Sequence, residues 1–319
     1  MTPDTLEYSM GLLDTHNQPK PYALEYQRWI AIIDKLGLGW KTDQPVCYLI
    51  HPEHSGRWSI TMSQMTAFTL AKQIHMEVRM WPEGKPIPAD AAAVVIANFK
   101  LSAEGKAAII AYLEKGGVVY QSYESDFPEA LTVKDSDATL SSPSFIANQA
   151  AGRFSMGEHV RIGAPLKLRD VSSAPDQEMQ VLLAFPKHGA DDQPRPVFVK
   201  TSVDKGTYYY LAVNLEDALS QTYDPWEEDD SNLIYSVLRP ESPFYIDSKY
   251  VELVVRTRGA ERLFLLLNHS DHFQDVVLRS RRNIQVQDYA TQALLGAGNE
   301  IPLHLMPGQV WVSETRAAH

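Results

Sequence analysis

The sequence predicts a mixed α/β protein, in which a doubly wound, largely parallel sheet is followed by a small antiparallel β-sandwich. Apolar runs of strand length alternate with amphipathic helices up to residue 123, and this order is typical of parallel sheets. Beyond residue 243 the chain carries only strand signals, separated by Gly, Pro and Asn. Short strands at such spacing are typical of an antiparallel sandwich.

Six predicted elements build the parallel part of the sheet. Residues 46–51 are an almost unbroken apolar run, as expected of a strand covered on both faces. The next element is a helix whose buried stripe is Ala67, Leu70, Ala71 and Ile74. A second helix has its N-cap at Ser102 and stops at Gly116 and Gly117. The elements are strand, helix, strand, strand, helix and strand, over residues 46–51, 59–75, 76–81, 91–97, 102–115 and 117–123.

The middle of the chain predicts a β insertion over residues of about 126–203, because regular alternation with helices is lost there. Residues 206–214 are strongly β and lead through an acidic stretch at 224–230 into a helix at 231–238. We expect three parts: an N-terminal segment, an α/β domain with the insertion, and a C-terminal β domain, over residues 1–40, 41–240 and 241–319.

The N-terminal segment is typical of the end of a domain rather than its beginning. A short apolar strand within residues 6–14 leads through a polar loop into an amphipathic helix at 22–36, which Gly37 would cap. One side of this helix is apolar and carries Tyr22, Tyr26, Trp29, Ile30, Ile33 and Leu36. We expect that face to be buried against the α/β domain or a neighbouring subunit, since large exposed apolar patches mark contacts.

Composition limits the functions to consider. The net charge of −11 disfavours nucleic acid and anionic membranes as partners, because both need Lys and Arg to neutralise phosphates. No apolar run approaches the roughly 18 residues of a membrane span. The first residues lack the pattern of a signal peptide. A single cysteine, Cys47, allows no intrachain disulfide, so the expected location is the cytoplasm.

The order of these segments resembles the region that follows the catalytic barrel in family 42 β-galactosidases and related clan-A glycoside hydrolases. The match includes GTYYYLA before the acidic stretch and FLLLNHS in the β domain; its four stretches are residues 11–21, 101–117, 206–235 and 262–270. In that family the last barrel helix leads to a flavodoxin-like trimerisation domain, related to class I glutamine amidotransferases, and then to a small β domain. The resemblance covers nearly the whole chain and implies that residues 1–40 are a barrel remnant.

The chain departs from the chemistry of both related groups. The glycoside hydrolases need two glutamates on barrel strands, with carboxyls about 5 Å apart in retaining enzymes, and neither has a counterpart here. The amidotransferases need a cysteine nucleophile at a strand-to-helix elbow, whereas Cys47 lies inside a predicted strand and is expected to be inert. The sequence therefore predicts no catalytic, cofactor-binding or metal-binding residues and no cofactor.

Some polar residues remain as ligand-site candidates. His51, Glu53 and His54 follow the first strand, and Glu124 and Asp126 follow a later one, at the sheet edge where open α/β proteins bind ligands. The favoured alternative is a polar loop that is exposed to solvent and binds no ligand.

Two further polar stretches have both a functional and a structural interpretation. The acidic stretch at 224–230, with Tyr223 and Trp226, suits a sugar-facing loop or a subunit contact. The alternative is a solvated segment whose acids favour the following helix dipole. Residues 268–272, Asn-His-Ser-Asp-His, have a composition typical of metal-binding tracts, but a strand cap entering a turn is favoured over zinc.

The leading hypothesis is a non-catalytic accessory and oligomerisation region of a glycoside hydrolase. Its expected partners are further copies of itself (a trimer, by resemblance) or a separate barrel-containing chain. The alternatives are a carbohydrate-binding or regulatory protein that uses the α/β crevice, and a hydrolase with an unrecognised site, for which Glu53 and Asp126 are the pair to examine.

Overall fold

A computed structural model describes residues 12–14, 16–52, 58–125, 127–136, 138–141, 143–186, 194–221 and 229–316, except the side chains of Tyr22 and Arg316. The helices are α1 Pro21–Leu36, α2 Trp58–Gln73, α3 Ala103–Leu113, α4 Leu215–Ser220 and α5 Ser231–Tyr235, the last continued by a 3₁₀ turn Ser236–Leu238. The strands are β1 Lys41–Thr42, β2 Val46–His51, β3 Glu77–Pro82, β4 Ala91–Ile96, β5 Val118–Ser122, β6 Leu131–Lys134, β7 Thr139–Leu140, β8 Ser144–Ala147, β9 His159–Arg161, β10 Leu166–Lys167, β11 Asp170–Ser173, β12 Met179–Phe185, β13 Arg195–Val203, β14 Gly206–Leu211, β15 Phe244–Tyr245, β16 Val251–Arg258, β17 Glu261–Asn268, β18 Gln274–Asp288, β19 Leu294–Leu305 and β20 Val310–Arg316. The predicted mixed α/β class is confirmed.

A nine-stranded sheet has the order β3-β2-β4-β5-β14-β13-β12-β8-β9. The first five strands pair in parallel and the rest antiparallel. Five of the six residues of β2 are buried, which explains its continuous apolar run. Helix α2 packs against α4 and α5, and α3 packs against β5 and β14. Right-handed connections place α2 and α3 on opposite faces of the sheet.

The predicted β insertion extends this sheet instead of standing apart from it. Strands β8, β9, β12 and β13 continue the ladder beyond β14. The buried side chains of Phe145, Val160 and Leu183 belong to the same hydrophobic core as those of the parallel strands. Only the short pairs β6 with β11 and β7 with β10 form separate ladders.

The C-terminal strands form one connected seven-stranded antiparallel sheet, as expected of an antiparallel β domain. The order is β1-β16-β17-β20-β18-β15, with β19 also paired to β18. Strand β18 runs continuously through residues 279–284, with a register shift between Arg279 and Ile284. This 15-residue strand pairs with β15, β19 and β20 and so connects these three strands in one sheet. The C-terminal strands have a hydrophobic core of their own.

Helix α1 packs one side on this C-terminal sheet and not on the α/β domain, which was one of its two expected contacts. The other expected contact, a neighbouring subunit, stays a prediction. Leu36 is buried together with Leu263 and Val312, and Trp29 packs against the same cluster. Glycine at position 37 has φ of 66° and donates its N–H to the Ile33 carbonyl, as a helix C-cap requires. The predicted strand at residues 6–14 lies outside the described residues except for 12–14.

The remaining apolar residues of α1 form an exposed stripe. Tyr26, Ile30 and Ile33 are 61%, 57% and 61% exposed, and their spacing of four and three residues places them on one helix face. They lie beside the buried face that carries Trp29 and Leu36. We name Tyr26, Ile30 and Ile33 the α1 stripe.

Buried polar contacts join the two cores. Gln44 donates its amide to the carbonyls of His75 and Leu253, and accepts from the Val255 N–H. His75 is 1% exposed, and its Nε2 lies 3.1 Å from the Ile246 carbonyl oxygen. Together these bonds fix the end of α2 against β16 and the segment before it. None of the helices in the described part of the chain is long and apolar enough to cross a membrane.

Candidate functional site at the carboxyl edge of the sheet

The candidate crevice lies where the strand order reverses. The chain leaves β2 through α2 toward β3 on one side, and leaves β4 through α3 toward β5 on the other. In open α/β sheets such a reversal opens a crevice at the carboxyl ends of the strands, where ligands bind. The carboxyl ends of β2, β4 and β5 carry the polar side chains described below.

His51 ends β2 and is exposed. Its Nδ1 lies 2.8 Å from Oε1 of Gln64, whose Nε2 donates to the Ile50 carbonyl at 3.0 Å. Because Gln64 is 3% exposed and its amide is oriented by the strand, this bond assigns the proton of His51 to Nδ1. The predicted candidates Glu53 and His54 lie outside the described residues.

Trp58 opens α2 directly after the 53–57 segment and is 75% exposed. The start of α2 is adjacent to the carboxyl end of β2 in this connection. The exposed indole provides a flat apolar surface at the start of α2. Such a surface can stack on a ligand ring while side chains bond its hydroxyls.

Asn98 follows β4 in a left-handed conformation with φ of 58°, which asparagine tolerates better than most residues. Its backbone N–H donates to Ser122 Oγ at 3.1 Å. Its side-chain Nδ2 lies 3.5 Å from Ser63 Oγ. The end of β4 is thereby tied to both α2 and β5.

A fully buried carboxylate lies behind this edge, at Glu216 in the first turn of α4. Tyr120 and Tyr235 each donate a hydroxyl to its Oε1 at 2.7 Å, and Ser122 donates to its Oε2 at 2.6 Å. Burial raises the pKa of Glu216, while the three hydroxyl donors oppose the rise. Sequence reasoning missed this residue, because its partners Tyr120 and Ser122 precede it by more than 90 positions.

We name Glu216, Tyr120, Tyr235 and Ser122 the buried carboxylate network. Each of the four is essentially inaccessible to solvent. The network therefore holds β5, α4 and α5 together and keeps the Glu216 carboxylate out of contact with solvent. Burial and the nearby Glu216 raise the pKa of both tyrosines well above the usual value, so their hydroxyls stay protonated donors.

Glu124, another predicted candidate, is paired with a cation. The Arg169 guanidinium lies 3.1 Å from the Glu124 carboxylate and 2.8 Å from the Asp135 carboxylate. It also lies 4.6 Å from the centroid of the Tyr123 ring. This ion pair fixes the Glu124 carboxylate on the guanidinium of Arg169. Its predicted neighbour Asp126 lies outside the described residues.

The structure does not bring His51 and Glu124 into contact. Strand β4 lies between β2 and β5, so the ends of β2 and β5 are about 10 Å apart at the usual strand spacing. His51 bonds Gln64 and Glu124 bonds Arg169 instead. Within the described ranges, no three His, Cys, Asp or Glu side chains are grouped as a metal site would need.

Local contacts account for the other reactive and polar residues that the sequence singled out. Cys47 is buried inside β2, and burial raises the pKa of its thiol to about 12, which favours the neutral thiol over the reactive thiolate. Asn268 accepts from the Ser270 N–H at 3.0 Å and donates to the Met306 carbonyl at 2.9 Å, which confirms the strand cap. Asp229 accepts from the N–H and hydroxyl of Ser231 at the start of α5. Residues 224–228 of the acidic stretch lie outside the described part.

The fold places the chain with a region of family 42 β-galactosidases, as the sequence predicted. Solved structures of that family align with nearly all of this chain, whereas the chain spans less than half of theirs. No protein-family profile matches the sequence, and no curated protein matches it. The identities are far below 25%, so the likeness concerns the fold.

Three solved structures illustrate this likeness. The β-galactosidase of Bacillus circulans sp. alkalophilus aligns at a TM-score of 0.64 with 11% identity, covering 96% of this chain and 47% of that chain. Gan42B, a β-galactosidase of family 42 from G. stearothermophilus, aligns at 0.62 with 13% identity, covering 96% and 46%. The α-L-fucosidase isoenzyme 2 of Paenibacillus thiaminolyticus aligns at 0.64 with 10% identity, covering 96% and 54%.

Proposed function

We propose that these 319 residues are a non-catalytic accessory and oligomerisation region of the glycoside hydrolase type. The observation that carries the proposal is the alignment of 96% of this chain with only 46–47% of the family 42 β-galactosidases. Sugar cleavage would then reside on a barrel outside these residues, whether on the same polypeptide or on another one.

The range of sugars that the similar proteins cleave supports an accessory role for this region. The same fold region aligns with two β-galactosidases and with an α-L-fucosidase at nearly equal TM-scores. These proteins cleave different sugars, so the shared region is not what selects the sugar. The occurrence of one fold region in enzymes that cleave different sugars is consistent with a scaffold that holds or assembles a separate catalytic unit. Function depends on particular sites and does not follow from the fold.

The carboxylates of the candidate site also support a non-catalytic role. A retaining glycosidase needs two accessible carboxyl groups about 5 Å apart, one of them a proton donor. Glu124 is held by Arg169, and Glu216 is buried under three hydroxyl donors. Neither provides the acid of such a pair. The remaining pair from the sequence, Glu53 with Asp126, stays a prediction.

We further propose a flavodoxin-like assignment for the α/β part. Numbered along the chain, its five parallel strands have the order 2-1-3-4-5, which is that of flavodoxin-like folds. The fifth of these strands, β14, follows an antiparallel hairpin with β13. In amidotransferase relatives a cysteine nucleophile occupies an elbow after a strand. Here Tyr123, with φ of 50°, follows β5 and cannot serve as that nucleophile.

The α1 stripe supports the oligomerisation part of the proposal. Tyr26, Ile30 and Ile33 remain mostly exposed although the other side of the helix is packed. A contiguous apolar stripe on an ordered helix marks a contact with a partner. The partner would be a second copy of the chain or the catalytic barrel that this helix adjoins by resemblance.

We expect the purified chain to self-associate through the α1 stripe, with a trimer as the expected state by resemblance. Size-exclusion chromatography with light scattering would show a mass above that of one chain. Ile30→Glu should lower the mass to that of a monomer at equal concentration, because it buries a charge in the contact. Gln27→Glu, at an exposed position of the same helix, is the matched control and should leave the mass unchanged. A strict monomer of the unmodified chain would count against the oligomerisation role.

Trp58 favours a second candidate function, carbohydrate binding at the crevice. The exposed indole and the Nδ1-protonated His51 provide a stacking surface and a hydrogen-bonding group. We expect Trp58→Ala to weaken binding of galactose-containing oligosaccharides at least tenfold in calorimetry, since stacking contributes on the order of 1–3 kcal/mol. The exposed Phe273, on the C-terminal domain, provides a matched control in Phe273→Ala. Equal affinities of all three proteins, or no binding by any, would refute this second candidate.

A further inference from the structure

A cavity lies where the 3₁₀ turn after α5 meets the start of the C-terminal sheet. Its volume is about 350 Å³, and its polar lining includes three arginines, Arg153, Arg239 and Arg281, together with Ser236 and Ser242. The chain as a whole has a net charge of −11. Three guanidinium groups around one cavity therefore make a local cluster of positive charge on a negatively charged protein.

Arg239 is the central group of this cavity. Its Nη2 donates to the Phe244 carbonyl at 3.3 Å, and the guanidinium faces the Tyr245 ring. Its Nε is buried with no hydrogen-bond partner, and within the described ranges no carboxylate pairs with it. Burial, and then repulsion from Arg153, lowers the pKa of Arg239 to about 10. A buried unpartnered donor on a cation is costly unless an acceptor occupies the cavity.

The second arginine is held at the cavity by an unusually close loop. Gly152 has φ of 56°, and a Cβ at this position would overlap Ser236 Oγ and lie 2.7 Å from the Val237 nitrogen. Only glycine allows this approach. The backbone N–H of Arg153 donates to Ser236 Oγ at 2.8 Å, which fixes the loop on the 3₁₀ turn. The backbone at Arg153 is thus fixed beside the cavity independently of the ion pair that its side chain makes.

Two carboxylates are present at the rim. Asp247 pairs with Arg153 and is 63% exposed, and Glu241 pairs with Arg281 and is 91% exposed. Pairs between such exposed groups contribute little stability and are readily exchanged. An incoming anion therefore competes with weak partners at two arginines and meets an unpaired one at Arg239.

We propose that this cavity binds a tetrahedral oxyanion, the phosphate or sulfate group of a small molecule. Arginine forks match the oxygen geometry of such groups and bind them through paired N–H···O bonds. The hydroxyls of Ser242 and Tyr245 line the same cavity and can donate to further oxygens. The site lies away from the carboxyl-edge crevice, so this proposal is independent of the proposed function.

The test is isothermal titration calorimetry of the full chain at low ionic strength in a chloride buffer. The probes are inorganic phosphate, inorganic sulfate and glucose 6-phosphate, with glucose and acetate as comparisons. We expect the three oxyanions to bind and acetate and glucose to bind at least tenfold more weakly. Tighter binding of glucose 6-phosphate than of phosphate would indicate a phosphorylated small molecule. Similar affinities would indicate the free ion, and both results support the site.

Variants separate this site from general charge effects. Arg239→Gln should weaken phosphate binding at least tenfold, as expected for a lost charge-assisted bond. Arg281→Gln, at a rim residue whose side chain is 59% exposed, should weaken it several-fold without a risk to folding. Arg282→Gln changes the net charge equally at an exposed neighbour outside the cavity and should have no effect. Glu241→Gln should strengthen binding, because it removes the competing carboxylate.

Three outcomes would overturn the proposal. They are the absence of oxyanion binding, equal losses in Arg239→Gln and Arg282→Gln, and full affinity in Arg281→Gln if Arg239→Gln does not fold. Circular dichroism of each variant identifies the last case.

Discussion

Glu216→Leu is expected to lower the free energy of unfolding by about 4 kcal/mol. The leucine is close in size but accepts no hydrogen bond, so Tyr120, Tyr235 and Ser122 would each lose the oxygen to which they now donate. Each buried hydroxyl left without a partner costs about 1–3 kcal/mol. Because α4 and α5 pack on α2 through this region, the loss should affect the whole α/β part. Urea unfolding followed by circular dichroism measures the change.

The control for this substitution is Glu114→Leu. Glu114 is an exposed glutamate at the end of α3, and its replacement should change the free energy of unfolding by no more than about 0.5 kcal/mol. If Glu216→Leu were as stable as this control, the buried carboxylate network would have no structural role.

Acidification is expected to destabilise the protein through His75. Burial, assisted by Arg239 and Arg153 and opposed by Glu252, lowers the pKa of His75 from 6.5 to about 3. Between these values the unfolded chain binds a proton that the folded chain does not, so stability falls as the pH falls below 6.5. At pH 4 the loss from this one group is about 3 kcal/mol relative to pH 7.

The measurement is the free energy of unfolding at pH 7 and at pH 4 for the wild type and for His75→Asn. Asparagine cannot be protonated in this range, and it tolerates the left-handed backbone at this position, where φ is 62°. The variant should lose about 3 kcal/mol less than the wild type on acidification. Contributions from Glu216, whose pKa is raised, and Glu252, whose pKa is lowered, cancel in this comparison.

His159→Asn is the control, because His159 is exposed whereas His75 is buried. It should lose as much stability on acidification as the wild type does. Equal losses in all three proteins would show that His75 does not carry the acid sensitivity.

The parallel sheet was predictable from the sequence because its signals are local. The apolar run of β2 appears over the six residues predicted. Three of the four predicted stripe residues are buried in α2, and the fourth, Ile74, is buried directly after its end. Ser102 accepts from the Gly105 N–H at 3.0 Å, as its N-cap pattern indicated. Periodicity and caps report on neighbouring residues, so one stretch of chain suffices to find them.

The C-terminal sheet was less predictable because long-range pairing overrides local signals. Residues 294–305 have a weak strand pattern, because Gly296, Gly298 and Pro302 interrupt it. Pairing with β18 along most of their length nevertheless makes them a strand. Long-range packing also decides which side of α1 is buried. Ile33 and Trp29 are both apolar, but only Trp29 packs against the cluster that contains Leu263 and Val312.

The candidate site was partly predictable. The carboxyl edge, with His51 at the end of β2, follows from the alternation of strands and helices. The pairing of Glu124 with Arg169 and the burial of Glu216 do not, because Arg169 is 45 positions from Glu124, and two of the three donors to Glu216, Tyr120 and Ser122, are more than 90 positions from it. Such contacts arise only when the sheet is assembled.

The most direct test of the accessory role is turnover of aryl glycosides by the purified chain. Para-nitrophenyl β-galactoside, β-glucoside and α-L-fucoside are incubated with it, and release of nitrophenol is compared with buffer and with Glu53→Gln. A non-catalytic region should give no release above buffer with any of the three. Turnover that Glu53→Gln abolishes would refute the accessory role, because it would place a working carboxylate site within these residues.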